Sequence, residues 1–415
     1  MKLLLLSGYL VVTVIRFALD WLNLRHRQEA REPLPELFSG QIDEERLQHS
    51  DAYALAGDKI GFVEDIVGVC LTLWFLFGGL LPWYDQLVSG LTNNFILSGL
   101  LFFGILALVQ LVIGIPFSLY RNFILEERFG FNRMSFRLWG TDLIKSLLVG
   151  SFLFFLLVSG ALWLVQLAPQ IWWLWVWGFW ALVSLFLLFV SPYLIEPLFF
   201  KFTPLAKAEL ETGVRELLEK AGVQAGKILQ VDASRRSGHS NAYFTGIGKV
   251  KRVVLFDTLM EQLDDRELLA VLAHELGHWR CGHLRQRLIK SQLVALFSCW
   301  LAFFLLNNEL LPGWFGLQQL SFAGQVLVLG WLGSLVGFFW TPISSWWSRR
   351  HERQADQFAI DMVGSGRELA SGLVKLAREN LSNLFPHPLY AAIYYSHPPL
   401  VERALWLEKG RVSGR

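Results

Sequence analysis

The sequence predicts a mainly α membrane protein, with seven transmembrane helices carrying a cytoplasmic α+β domain. Three observations predict it. Mean hydropathy is +0.41, and 53% of the 415 residues are hydrophobic against 17% charged, too apolar for an ordinary soluble chain. Seven stretches approach the ~20 apolar residues that a spanning helix needs. Basic residues gather in alternate connections, as they do in loops kept on the cytoplasmic side. Lys plus Arg number 37 against 35 Asp plus Glu, so no basic excess points to nucleic acid. The lipid bilayer is the expected partner.

The spans are expected at 3–19, 66–83, 95–118, 146–169, 171–195, 291–308 and 322–345. The first could be a signal peptide, but Arg16 and Asp20 interrupt it and no small-x-small cleavage site follows. It reads as an uncleaved span. The other six carry almost no charge, which argues against a zinc-binding transporter or receptor, because coupled transport places ionisable groups deep in spans. Segments 20–65, 119–145, 196–290 and 349–415 hold 5, 5, 15 and 10 basic residues, or 35 of the 37, and the alternate loops 84–94, 170 and 309–321 hold none. The N-terminus is therefore expected outside and the C-terminus in the cytoplasm, across the inner membrane if the source is bacterial. Trp172, Trp173, Trp175 and Trp177 read as interfacial anchors. Cys70, Cys281 and Cys299 are odd in number and lack C-x-x-C spacing, so no disulfide framework is expected.

The chain divides into 1–199 with five spans, 200–290, 291–348 with two spans, and 349–415. The two polar segments together exceed 150 residues and are separated by a membrane hairpin, so one shared cytoplasmic core is expected. In the first of them, Leu205, Leu210, Val214, Leu217 and Leu218 predict a helix over 205–222, ended by Gly222. Strands follow at 228–232, 241–247 and 251–256, the last two forming a hairpin turned at Gly246 and Gly248. Asp264 and Glu267 predict a capping box for a helix running through 280.

That helix carries His274, Glu275 and His278 as H-E-x-x-H. Positions i and i+4 share a helix face, so both imidazoles reach one Zn2+ while Glu275 addresses its water. A third protein ligand is needed. The metzincin extension would put glycine at Cys281 and histidine at Leu284, and it fails. Glu352, in RRHERQAD at 349–356, is the better candidate, at the start of a helix after the last span. Asp356, one turn on, would accept a hydrogen bond from a ligating imidazole. The competing reading of this stretch is an ordinary solvated charge run.

Four ordered motifs carry a resemblance: HELGHW at 274–279, RRHERQAD at 349–356, HSNAYFTG at 239–246 and YSHPPLVER at 395–403, with EERFGFN at 126–132 beside them. The chain resembles the type 1 CAAX prenyl protease family, integral-membrane zinc metalloendopeptidases related to the HtpX-type quality-control proteases. The resemblance implies a zincin-like metalloprotease domain and a barrel of seven helices around an intramembrane chamber. It implies one zinc ion per chain on His274, His278 and Glu352, Glu275 as catalytic base, and Asp356 in support. It further implies that Asn241, with Ala242 and Tyr243 on its strand, and His397 contact substrate backbone or developing oxyanion, with Arg403 nearby. Read locally, Asn241 starts a strand, His397 precedes a Pro-Pro turn and Arg403 is an exposed helical charge; His239, His283 and His351 read as surface or supporting groups.

The expected chemistry is hydrolysis of a peptide bond in a membrane-associated peptide or protein. C-terminally prenylated CAAX peptides are the substrates that the family implies, and misfolded membrane proteins are the alternative. An intramembrane protease of the site-2 type also uses H-E-x-x-H, but inside a hydrophobic span, whereas this motif sits among Asp264, Asp265, Arg266, Glu267 and Arg280.

Overall fold

The computed structural model describes residues 1–29, 33–245 and 250–409. Seven helices are long and apolar enough to cross a membrane: α1 (Lys2–Glu29), α2 (Glu44–Phe77), α3 (Phe95–Arg128), α4 (Phe136–Leu167), α5 (Trp172–Phe199), then α8 (His283–Asn307) and α9 (Phe322–Val363). Between α5 and α8 lie β1 (Phe202–Pro204), α6 (Ala208–Lys220), β2 (Gln224–Val231), β3 (Ala242–Thr245), β4 (Val250–Phe256) and α7 (Asp265–Arg280); α10 (Arg367–Glu379), α11 (Pro388–Tyr394) and α12 (Leu400–Glu408) end the chain. Local chemistry starts several of these helices. Asp43, Asn94, Ser135 and Ser321 each accept the backbone N–H three residues on, as N-cap side chains do.

In sequence order each membrane helix packs on the next, and α9 returns to α1, so the seven close into a ring. Only 6–11% of the most apolar stretch of each helix is buried, whereas a packed bundle buries a stripe of about two residues in seven. The ring therefore encloses a chamber rather than a core. At one end it is stoppered by Leu76, Leu81, Tyr84, Phe102, Leu311, Phe315 and their neighbours. The α+β domain covers the other end, its core formed by α6, the sheet, α7, α10 and the last turns of α9.

The second span differs from expectation. Helix α2 begins at Glu44 and ends at Gly78 and Gly79, where Gly79 takes φ 90°, a backbone conformation that glycine adopts without penalty. Residues 80–91 form a separate helix. Apolar residues on both sides of this break shift the hydropathy window past it. Because α2 starts at Glu44, the helix also carries Asp58, Glu64 and Asp65, which precede the expected span 66–83. These pair with the neighbouring helices α1 and α3: Arg27 with Asp58 at 3.2 Å, Arg16 with Asp65 at 3.5 Å, and Arg121 with Glu64. The connection expected at 309–321 also contains a short helix, Leu310–Trp314. Of the tryptophan anchors, Trp172 is buried against Phe303 and Phe322, and Trp177 donates to the Gln292 carbonyl at 3.1 Å.

In the sheet the order is β1-β2-β4-β3, with β2 and β4 parallel and β3 antiparallel on the edge. Strand β1 and the parallel pairing were not legible in the sequence. The hairpin of β3 and β4 forms as expected; its turn at Gly246 and Gly248, like the closing 411–415, lies outside the described residues.

Candidate active site

Helix α7 starts with the expected capping box, Asp264 accepting from the Glu267 N–H and Glu267 returning to the Asp264 N–H at 3.0 Å. These backbone hydrogen bonds hold the Asp264 carboxyl below its ordinary pKa. Glu267 is itself buried and receives Lys375 at 2.6 Å and Ser371 at 2.7 Å, tying α7 to α10. Eight residues of α7 are buried, His274 among them. Gly277, inside the H-E-x-x-H motif, marks the crossing with α9: a Cβ there would stand 2.9 Å from Ala355 Cα and 3.0 Å from its carbonyl oxygen. Close approach of the two helices thus requires glycine at that position.

The crossing brings the third residue to the pair. His274 Nε2 and His278 Nε2 are 3.2 Å apart, and the Glu352 carboxylate stands 3.4 Å from the first and 3.3 Å from the second. One ligand atom from each lies within 4.8 Å of the others. Two ligands bound at about 2.0–2.1 Å to a tetrahedral ion are about 3.3–3.4 Å apart, close to the spacing of the two imidazole nitrogens and of each from its nearer carboxylate oxygen, Oε2 for His274 and Oε1 for His278. Glu352 is 1% exposed, and its Oε2 makes no hydrogen bond; His397 Nδ1 lies 2.7 Å away without the alignment to donate. A buried anionic oxygen without a donor is costly, and a divalent cation between the three side chains would remove the cost. The residues fit a metal.

Two contacts orient the imidazoles. His274 Nδ1 is 2.7 Å from Asp356 Oδ1, leaving Nε2 to face the centre. Burial and the Arg403 guanidinium both push the His274 pKa down, but the Asp356 and Glu352 carboxylates outweigh them and hold it above its ordinary value. On the other side, His278 Nδ1 is 3.0 Å from His283 Nδ1, whose Nε2 lies 2.9 Å from Gln354 Oε1. A carbonyl oxygen only accepts, so His283 carries its proton on Nε2 and accepts at Nδ1 from His278. His278 thereby presents a lone pair at Nε2. His283 stacks on His351 with centroids 4.0 Å apart, and both rings are buried.

The RRHERQAD stretch does not begin a new helix. Helix α9 runs unbroken from the membrane through Val363 and carries Glu352 and Asp356 on its buried face. The expected exposed charge at Arg403 is also corrected. Its side chain is 10% exposed and forks onto Asp356 at 2.6 and 2.8 Å, with one nitrogen 3.1 Å from His274 Nδ1. The sequence missed this because α12 packs on α10, which turns the Arg403 side chain inward to Asp356 of α9. Burial opposes the charge on Arg403, and Asp356 more than restores it, raising its pKa.

His397 lies at the Glu352 carboxylate with 60% of its side chain exposed. Glu275 is partly exposed one residue beyond His274. Asn241 is exposed immediately before β3, its Oδ1 accepting from the Ala242 N–H at 2.8 Å. Ala242 points into the domain core and the Tyr243 hydroxyl donates to Glu196 at 2.7 Å. Burial, then that bond, pushes the tyrosine pKa upward. What these two residues could offer an extended peptide is therefore the strand backbone rather than their side chains.

Two family models cover the chain: the five-membrane-helix N-terminal region of CAAX prenyl proteases over residues 23–201, and peptidase family M48 over 204–410. The CAAX prenyl protease 1 homolog of Arabidopsis thaliana is 34% identical, with 95% of each chain covered. CAAX prenyl protease 1 of Saccharomyces cerevisiae is 32% identical over 98% of this chain and 95% of its own. The crystal structure of S. mikatae Ste24p superposes with a TM-score of 0.90 at 31% identity, covering 98% of both chains. A ring of seven helices capped by an H-E-x-x-H domain thus has close counterparts in sequence and in structure, and the chain belongs to the CAAX prenyl protease branch of the M48 peptidases, multi-pass membrane metalloendopeptidases.

Proposed function

We propose that this protein is a zinc enzyme that cleaves C-terminally prenylated CAAX-type peptides, using His274, His278 and Glu352 as metal ligands and Glu275 as general base. The observation that carries the reading is the buried Glu352 carboxylate, with Oε2 making no hydrogen bond, beside two convergent imidazole nitrogens. An N, N, O donor set with an open position suits catalytic zinc. When bound, zinc supplies Lewis acidity that polarises a carbonyl and makes water nucleophilic near neutral pH.

The chain's own groups do the rest. Glu275 accepts the proton of the attacking water at its carboxylate and delivers it to the leaving amine. His397 donates to the oxyanion as it develops, a contribution worth about a hundredfold in rate. Asp356 keeps the His274 proton on Nδ1, and Arg403 neutralises Asp356. Asn241 and the free edge of β3 hold the peptide backbone as an added strand, which places the scissile bond with little demand on side chains. The catalytic unit is built from 200–290 and 349–415 and faces the cytoplasm, with the N-terminus on the opposite side, as the basic loops require. The chamber offers apolar surface for the prenyl chain.

The test is cleavage of a farnesylated CAAX peptide and its unprenylated twin by detergent-purified protein beside Glu275→Gln, with zinc measured in both. The expected result is about one zinc per chain in each and cleavage only by the native protein, faster with the lipid. Equal rates on the two peptides would move the substrate to membrane proteins at large. Zinc bound with neither peptide cut would overturn the CAAX assignment.

A further inference from the structure

The turn between α3 and α4 takes no part in the chemistry above, yet it is fastened to the catalytic domain at the residues that lead into β3. Phe131 O accepts from the Gly238 N–H at 3.0 Å, Arg236 O accepts from the Arg133 N–H at 3.3 Å, and Asn132 bridges to Ser237. Arg236 forks onto Asp142 of α4 at 2.8 and 3.1 Å, a pair only 12% and 15% exposed. His239 is the centre of the junction. Its ring stacks on Phe131 with centroids 4.4 Å apart. Its Nδ1 is 3.0 Å from Asn380 Oδ1 at the end of α10, and its Nε2 is 3.5 Å from Glu126 Oε2. Glu126 in turn receives the Tyr53 hydroxyl of α2 at 2.7 Å.

Both ring nitrogens of His239 therefore face oxygen acceptors, an environment that favours the doubly protonated imidazolium. The Glu126 contact and the Asn380 bond raise its pKa against the opposing effect of burial. Residues from α3, the α3–α4 turn and the end of α10 thus converge on one side chain two positions before Asn241, with Tyr53 of α2 braced behind Glu126. From Asn241 the chain is pinned onward, since its carbonyl accepts from the Phe256 N–H at 3.1 Å and the His239 carbonyl from Thr258 Oγ1 at 3.0 Å. Little freedom remains between the junction and the strand.

We propose that the Glu126–Arg133 turn of the membrane ring positions the substrate strand, with His239 as the positioning residue that locks Asn241 and β3 in register with the metal centre. The proposal rests on the reading of Asn241 and β3 as the peptide-binding edge. It assigns EERFGFN the task of aligning two independently supported bodies, the ring that holds a membrane-anchored substrate and the cap that cuts it. An edge strand that binds a peptide by its backbone loses affinity when its register slips, so a dedicated alignment contact has a function to serve.

The test uses full-length protein in detergent with a farnesylated peptide, comparing His239→Ala, His239→Gln and Asn241→Ala with the native chain. His239→Ala is expected to raise KM at least fivefold with kcat changed less than twofold and metal content intact. His239→Gln, which keeps one hydrogen bond, is expected to recover part of the loss. The native KM is expected to rise with pH as the imidazolium deprotonates, and KM of the glutamine variant is expected to stay flat. A His239→Ala protein with unchanged KM, beside an Asn241→Ala protein with raised KM, overturns the inference and leaves the strand reading standing. Unchanged KM in both overturns the two together. Loss of kcat and metal in parallel would make His239 a folding residue and also overturn it.

Discussion

Helix α9 passes through both halves of the molecule, and its two parts follow different rules. Over 329–344 it buries no residue, whereas His351, Glu352, Ala355, Asp356, Ala359 and Ile360 are all buried in its last turns. The membrane half needs only to be apolar and to touch its neighbours along narrow seams. The catalytic half is packed to contact on several sides and carries charges that survive only because each has a partner. A substitution in the ring should therefore be absorbed, while one in the cap should be felt.

The hardest test of that contrast is Arg403→Met. It leaves buried Asp356 with His274 alone as partner, and breaking a buried pair costs about 3–5 kcal/mol; thermal unfolding of the cap, followed by hydrogen exchange of α7 and α12, should show it together with loss of metal. An unchanged midpoint would mean that the cap is softer than its packing suggests. Next is Gly277→Ala, whose Cβ meets backbone of α9 at 2.9 Å and should cost about 1–3 kcal/mol by overpacking, whereas Gly150→Ala in α4, with open space around it, should cost nothing measurable. His283→Phe removes the acceptor for His278 Nδ1, and a zinc-competition titration against a chelator should find affinity down about 10–100-fold. Arg16→Gln in the ring removes a single 3.5 Å contact with Asp65, and thermal unfolding should show a smaller loss than for Arg403→Met.

The smallest expected effect is one of pH. The His239 pKa is raised on folding, so its contribution is fully present below the unfolded value of about 6.5 and is lost as pH rises through the folded value. A stability profile between pH 6 and 8 should decline more in the native protein than in His239→Gln.

Local chemistry made much of this legible. The capping box at Asp264 and Glu267, the H-E-x-x-H face and the carboxylates of Glu352 and Asp356 are patterns within one or two turns of a helix, where spacing alone fixes geometry. What escaped depends on contacts between distant segments. Arg403 looks solvated until α12 is laid on α10 and the side chain reaches Asp356; β1 and the parallel β2–β4 pairing require a crossover; and His283 acquires its role only through Gln354, 71 residues on. The second span was misplaced for another reason: hydropathy averages across the Gly78–Gly79 break, and cannot see that acidic residues further back are neutralised from neighbouring helices.

The unbroken length of α9 has a mechanical consequence. Forty-two residues at about 1.5 Å each make a rod of about 63 Å, roughly twice the thickness of the hydrocarbon layer. Glu352 rides on the overhang, about 27 Å along the rod from residue 334, the middle of the stretch 322–345 expected to span the bilayer. At that lever arm a tilt of about one degree swings the carboxylate by about 0.5 Å, the tolerance that a catalytic constellation allows. A stave of the barrel cannot lean without carrying Glu352 with it, so the geometry around that carboxylate is tied mechanically to the ring.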